Sequence, residues 1–140
     1  MSVRMETCHF MPEDAIKVRV LVFVEEQGFV DEFDEIDAVA THFVAYDGDH
    51  PVGTCRLFWD DIKKRYTVGR LAVVKEYRGR SLGRQLLASA EEETKKLGGE
   101  ALYLHAQCRA EGFYQKAGYT SFGPVEPEEG CPHIWMVKAV

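Results

Sequence analysis

Gly69-Arg70-Leu71-Ala72-Val73-Val74-Lys75-Glu76-Tyr77-Arg78-Gly79-Arg80-Ser81-Leu82-Gly83-Arg84 is the stretch whose reading decides the fold. Its apolar residues fall on successive positions and predict a buried strand, residues 78–84 form a basic turn with glycines, and an amphipathic helix follows. A strand that passes directly into a helix leaves the first helical N–H groups without partners at the turn. The positive helix end and the cations of Arg78, Arg80 and Arg84 then converge on one spot, which suits phosphate. No GxxxxGK[ST] is present, so this is not a Walker A loop, and the absence of GxGxxG excludes a dinucleotide fingerprint. Exposed basic turns are common. The signal here comes from the turn's place between a buried strand and a helix.

The rest of the composition sharpens that point. The 140 residues carry 23 acidic and 17 basic side chains, a formal net charge of −6, which argues against a general nucleic-acid binder. A concentrated basic turn in an acidic chain needs a local reason, and an anionic cofactor supplies one. The length fits one domain, and 46% hydrophobic residues suffice for a core. No apolar run is long enough to span a membrane, and the N-terminus lacks a signal-peptide pattern, so a cytoplasmic protein without a membrane partner is expected. Cys8, Cys55, Cys108 and Cys131 lie far apart in sequence, which offers no zinc-ligand pair and suggests reduced, structural thiols; no metal is expected.

Outward from the turn, the pattern predicts a mixed α/β domain with a central sheet. Strands are expected over 2–10, 42–46, 52–59, 66–74, 101–106, 118–122 and 133–137, with a hairpin turn at Asp47-Gly48-Asp49. Met11-Pro12-Glu13-Asp14 resembles a helix start, and a helix over 15–26 would place Ile16, Val20, Phe23 and Val24 near one face before Gly28. A second helix over 82–97 has Leu82, Leu86, Leu87, Ala90 and Leu97 as its stripe and Gly98-Gly99 as its stop. A short helix spans 110–117, a loop 124–132, and an acidic loop or short helix 31–37.

A second motif reads Ala106-Gln107-Cys108-Arg109-Ala110-Glu111-Gly112-Phe113-Tyr114-Gln115-Lys116-Ala117-Gly118-Tyr119. By itself it places Phe113 and Tyr114 as core aromatics. Together, the two motifs resemble the GNAT acetyltransferase superfamily. The first is similar to that family's [QR]-x-x-G-x-[GA], with Arg78, Ser81 and Gly83 in the key places; the second is similar to its N-x-x-A-x-x-F-Y-x-x-x-G-[FY], with Gln107 where Asn is common. Val22-Phe23-Val24-Glu25-Glu26-Gln27, Asp34-Glu35-Ile36-Asp37 and Gly130-Cys131-Pro132-His133-Ile134 further resemble the small ElaA-like and YjcF-like bacterial branch, so the likeness covers nearly the whole chain.

The resemblance implies a GNAT-like fold in one domain over 1–140 and acetyl transfer from acetyl-CoA to a primary amine, of a small molecule or a protein, within a ternary complex. It implies that Leu71, Ala72 and Val73 run beside the pantetheine arm, a backbone N–H near Val73 polarising the thioester carbonyl. It further implies that Arg78, Gly79, Arg80, Ser81, Leu82, Gly83 and Arg84 hold the pyrophosphate, and that Gln107 and Tyr114 adjoin the cofactor, Tyr114 serving as general acid. A phenol with an unperturbed pKa of about 10 stays protonated at neutral pH. Ser81 stands where the family usually has glycine. If the site needs positive φ the serine costs on the order of 1 kcal/mol, with two outcomes open: its hydroxyl caps the helix, or it adds a donor to the phosphate.

The general base is less legible, because Gly69 occupies the place of the family's usual glutamate beside Arg70. Glu26, Asp37, His42 and His133 are candidates, and each has an ordinary structural alternative. Glu26 and Gln27 are expected to face the acceptor, whereas most of the run Glu25, Glu26, Asp31, Glu32, Asp34, Glu35 and Asp37 reads as a solvated face. Arg56 and Arg70 would meet an anionic group on the acceptor or pair with those acids. A coenzyme-binding sensor without turnover, and an interaction domain with a vestigial pocket, remain open alternatives, and exposed sheet edges make a homodimer reasonable.

Overall fold

The computed structural model describes residues 3–30 and 32–140; Ser2 of the first predicted strand and Asp31 of the acidic run lie outside them. Among the described residues the chain runs β1 (Val3–Cys8), α1 (Glu13–Arg19), β2 (Thr41–Asp47), β3 (His50–Asp60), β4 (Arg65–Val73), α2 (Leu82–Lys96), β5 (Ala101–Gln107), α3 (Glu111–Lys116), β6 (Thr120–Glu128) and β7 (Cys131–Ala139). The strands form one sheet in the order β1-β2-β3-β4-β5-β7-β6. Only β4 and β5 are parallel neighbours, because α2 crosses between them; every other pair is antiparallel.

Alternation along β2 shows how the two faces are covered. Val44 and Tyr46 pack with Ala15 of α1, while Phe43 and Ala45 join the main core with Leu86 of α2. α2 lies so close that a Cβ on Gly53 would meet Leu86 Cδ1 at 2.9 Å. Its buried stripe is Leu82, Leu86, Leu87, Ala90 and Thr94, not Leu97, which is 52% exposed. The Thr94 hydroxyl satisfies itself by donating to the Ala90 carbonyl at 2.8 Å. Beyond it, Gly98 takes φ +86°, and the N–H groups of Gly99 and Gly98 close on the carbonyls of Thr94 and Lys95, a Schellman stop.

Three expectations need correction. The helix expected over 15–26 is α-helical only to Arg19; Val20–Glu26 is a π-helix, whose i→i+5 bond runs from Gln27 N–H to Val22 O. The buried hydrophobic face is Ala15, Val18, Val22 and Phe23, with Ile16 outside it and exposed. The segment 124–132 is not a loop but a hairpin, closed by Glu129 and Gly130, both at positive φ. Pro124 and Pro127 are tolerated because β6 is an edge strand. Finally, the strand 66–74 is not buried throughout: Ala72 and Val74 are buried, while Leu71 and Val73 are partly open.

One irregularity shapes the molecule. Between Gly69↔Arg56 and Ala72↔Thr54 the β3–β4 register shifts, with Arg70 in the left-handed region at φ +53°. Such a bulge bends its strand and increases its twist. β4 accordingly pairs with β5 only at Tyr66↔Leu102 and Thr67↔Tyr103, and the remainder of β4 diverges from its parallel neighbour. The C-terminal ends of two central strands thus stand apart, each with an unpaired edge.

Candidate active site

The divergence of β4 and β5 opens a cleft of about 560 Å³, lined among others by Gln27, Phe29, Arg56, Thr67, Gly69, Arg70, Leu71, Gln107, Tyr114 and His133. At the β4 end, Val74 N–H bonds back to Val52 of β3, so the Val73 carbonyl faces the open edge, where Arg78 Nε donates to it at 2.9 Å. In extended backbone the Val73 N–H points to that same edge. The turn that follows carries Gly79 at φ +79° and Ser81 at φ +64°. Ser81 is therefore a left-handed residue that its side chain does not offset: it makes no cap hydrogen bond, contrary to the capping outcome. The N–H groups of Leu82, Gly83 and Arg84 find no acceptor among the described residues, the first backbone bond of the helix running from Gln85 to Ser81. Leu82 anchors the turn in the core, and Gly83 is small because a Cβ there would meet the Phe113 ring at 3.0 Å. Bare N–H groups at a helix start, flanked by exposed Arg80 and Arg84, fit a diphosphate.

Glu26 is not in the cleft. Its carboxylate takes a bidentate pair from Arg78, both contacts 2.7 Å, at the exposed rim of the turn. The hydrogen bond from Arg78 holds its pKa below the usual glutamate value. Its expected place against the acceptor is thereby corrected, and the Arg78 side chain is committed to Glu26 and Val73. Gln27, one residue on, does line the cleft, and accepts a 3.0 Å hydrogen bond from Gln107 Nε2; Gln107 Oε1 accepts from Arg109.

The acidic run is a solvated face only in part: Glu25, Glu26 and Glu35 are exposed, but its inner members are not. Glu32 and Asp37, each 4% exposed, together with Asp34 close on three arginines from three elements. Arg19 of α1 bonds Glu32 Oε2 at 2.9 Å and Asp37 Oδ1 at 2.6 Å. Arg56 of β3 bonds Asp34 at 2.6 Å and Asp37 at 2.9 Å, and Arg70 of β4 reaches Glu32 at 3.1 Å and Asp34 at 3.5 Å. Burial would raise the pKa of Asp37, but hydrogen bonds from Arg19, the Asp34 N–H and Arg56 outweigh it and hold it at about 2. For Glu32 burial wins and its pKa is raised, despite Arg70 and Arg19. Asp37 is thus locked in ion pairs, and His42, buried and bonded to the Asp37 carbonyl at 2.9 Å, lines no part of the cleft. Neither fits the role of base. Arg56 and Arg70 are answered by carboxylates of the chain itself, which is the second of the two outcomes open for them.

Tyr114 enters the cleft from α3, packed edge-on to Phe113 and Tyr119 at 5.1 and 6.1 Å between ring centres. Its hydroxyl bonds no other described residue, and burial pushes its pKa above the usual phenol value, so it holds its proton. His133, from β7, forms part of the wall, its Nδ1 2.8 Å from the Cys131 carbonyl. The sequence reading missed its neighbours His105, Glu128 and Trp135. The signal for His105 lay in β5, where Leu102, Leu104 and Ala106 alternate with Tyr103, His105 and Gln107, one apolar face and one polar. All four cysteines are free thiols, and burial pushes the pKa of Cys55 up, which makes it inert.

The model of the acetyltransferase (GNAT) domain matches residues 11–140. The chain belongs to the GNAT acetyltransferase family. The uncharacterized N-acetyltransferase YjcF of Bacillus subtilis is 35% identical, the match covering 90% of this chain and 91% of YjcF. ElaA of Escherichia coli is 31% identical over 89% of this chain and 85% of its own, in agreement with the ElaA-like and YjcF-like branch. The ElaA crystal structure superposes with a TM-score of 0.86 at 26% identity, covering 98% and 99% of the two chains. A more distant fold neighbour, 19% identical with a TM-score of 0.71 over 96% of each chain, is an aminoglycoside 6'-N-acetyltransferase solved in complex with coenzyme A.

Proposed function

We propose that this GNAT acetyltransferase moves the acetyl group of acetyl-CoA directly to a primary amine of a small molecule or a protein, in a ternary complex. One observation carries the reading. The unpaired edge of β4 connects a helix start with bare N–H groups to a cleft into which Tyr114 presents a protonated, unpartnered hydroxyl. Acetyl-CoA supplies the activated acetyl thioester. The N–H groups of Leu82, Gly83 and Arg84 take its diphosphate, with Arg80 and Arg84 adding charge. The Val73 N–H lies where a thioester carbonyl would run along the strand and holds its oxygen as negative charge develops. Tyr114 gives its proton to the departing sulfur. The Arg19–Arg56–Arg70 cluster fixes residues 32–37 as one wall, so that the amine approaches a rigid site.

Calorimetric titration with acetyl-CoA tests the reading: saturable binding is expected, and no binding at millimolar ligand would remove it. Tyr114→Phe is expected to keep acetyl-CoA affinity and lower turnover by about 10²-fold or more. Equal turnover in both proteins would take Tyr114 out of the reaction.

A further inference from the structure

Among the described residues four buried side-chain N or O atoms have no hydrogen-bond partner, and three belong to residues lining the cleft: Arg56 Nε, Thr67 Oγ1 and His105 Nε2. Such atoms are rare in folded proteins, and their concentration at one place calls for an explanation. His105 provides it. Its Nδ1 lies 2.9 Å from Glu128 Oε1. A carboxylate accepts, so in the neutral ring the proton sits on Nδ1 and the lone pair on Nε2. The ring stacks on Trp135, 4.7 Å away, and lies tilted against His133, 5.0 Å away, contacts that restrain its turning. On β4, Thr67 pairs with Tyr103, two residues before His105, and beyond that pair the strands part, Gly69 and His105 both lining the cleft between them. A Cβ on Gly69 would meet nothing within 4 Å, so the cleft is open at Gly69.

We infer that His105 Nε2 is the proton acceptor for the incoming amine and that Glu128 is its positioning residue. The inference rests on the acetyltransferase reading and adds the base that reading lacks. The ammonium form of the acceptor gives one proton to Nε2, and the imidazolium so formed keeps its Nδ1–H on Glu128. The freed lone pair forms the C–N bond to the acetyl carbonyl carbon, and the C–S bond breaks. Tyr114 protonates the sulfur and recovers a proton from the second N–H of the amine, while His105 releases its own to solvent. The balance is one ammonium and one thioester in, one amide, one thiol and one proton out. Charges facing His105 agree with this: Glu126 Oε1 stands 3.7 Å from Nε2 and, with Glu128 also on β6, stabilises the cation. The positive side chains nearby, Arg65 and Lys63, lie over Trp135 at 4.2 and 5.8 Å rather than over His105. His133 differs in that its Nε2 is not among the buried atoms without a partner, although its Nδ1 meets the Cys131 carbonyl at 2.8 Å and its Nε2 stands 3.8 Å from Glu128.

The test compares two nucleophiles in wild type, His105→Asn and Glu128→Gln. One is the best acceptor among spermidine, glucosamine and a lysine peptide, all ammonium ions at neutral pH. The other is hydroxylamine, largely neutral there and in no need of a base. His105→Asn is expected to lower transfer to the ammonium acceptor about 10²-fold or more, to recover with rising pH, and to leave hydroxylamine transfer and acetyl-CoA affinity nearly unchanged. Glu128→Gln, which leaves the ring in place, is expected to shift the acid limb of the kcat/KM profile. Equal losses toward both nucleophiles, no loss at all, or an unmoved acid limb in Glu128→Gln would overturn the assignment. So would a wild type that acetylates hydroxylamine alone at every pH. A wild type that binds no acetyl-CoA would instead overturn the acetyltransferase reading itself.

Discussion

The turn at 78–84 and the segment at 32–37 are the two charged stretches flanking the cleft, and the fold treats them in opposite ways. The turn keeps Arg80, Arg84 and its bare N–H groups at the surface, and even Arg78, paired with Glu26, stays exposed. The acidic segment turns Glu32, Asp34 and Asp37 inward onto Arg19, Arg56 and Arg70, so its charge is answered within the chain and serves to hold a wall. A run of like charges has no fixed meaning; the elements across from it assign one. Charge buried in ion pairs is structural, whereas charge at the surface costs little in stability to remove.

That contrast makes substitutions in the segment costly to stability and those in the turn costly only to binding. Asp37→Asn leaves Arg19 and Arg56 buried with less than their due, and is expected to cost about 3–5 kcal/mol in chemical denaturation. Its pH dependence has a definite sign. The depressed pKa of Asp37 means its contribution is complete above the ordinary aspartate value of 3.8 and is lost as pH falls toward about 2. Glu32, with a raised pKa, acts in the opposite sense, its ionisation penalty easing as pH falls to its ordinary 4.5. Asp37→Asn should therefore flatten the acid limb of a stability profile, and an unchanged limb would break the comparison. Arg84→Ala should do the reverse, weakening acetyl-CoA about tenfold, or 1.4 kcal/mol, with stability within about 0.5 kcal/mol. A large loss of stability there would show that the turn, too, is structural. Ser81→Gly has the smallest expected effect. It should raise stability by about 1 kcal/mol by relieving the left-handed serine, while acetyl-CoA affinity stays within tenfold. Loss of binding would mean that the serine hydroxyl itself holds the phosphate.

Much of the fold was readable because the signals are local. Buried runs, Gly98 at a helix end, and Asp47-Gly48 in a hairpin each depend on residues a few positions apart. The errors share a cause. The π-helix at Val20–Glu26 hides under an ordinary helical pattern, since nothing in its apolar spacing announces a wider turn. The hairpin at β6–β7 was obscured by Pro124 and Pro127, which discourage a strand unless it lies at an edge, a property of the sheet, and by Pro132 at the start of β7. Tyr114, Gln27 and Gln107, singled out from motifs, do line the cleft, whereas Glu26 was misplaced because its partner Arg78 lies 52 residues away.

By itself, the sequence determined the family and the strand–turn–helix unit, for these are contiguous patterns whose chemistry acts over one or two turns of chain. Only the tertiary structure decided that Arg70 sits in a bulge that parts β4 from β5, that the acidic segment is a buried wall, and that His105 and Glu128 meet in the cleft. Each of those depends on strand register and on side chains far apart in sequence, and a pairing of that kind acquires its energy only when the sheet has formed.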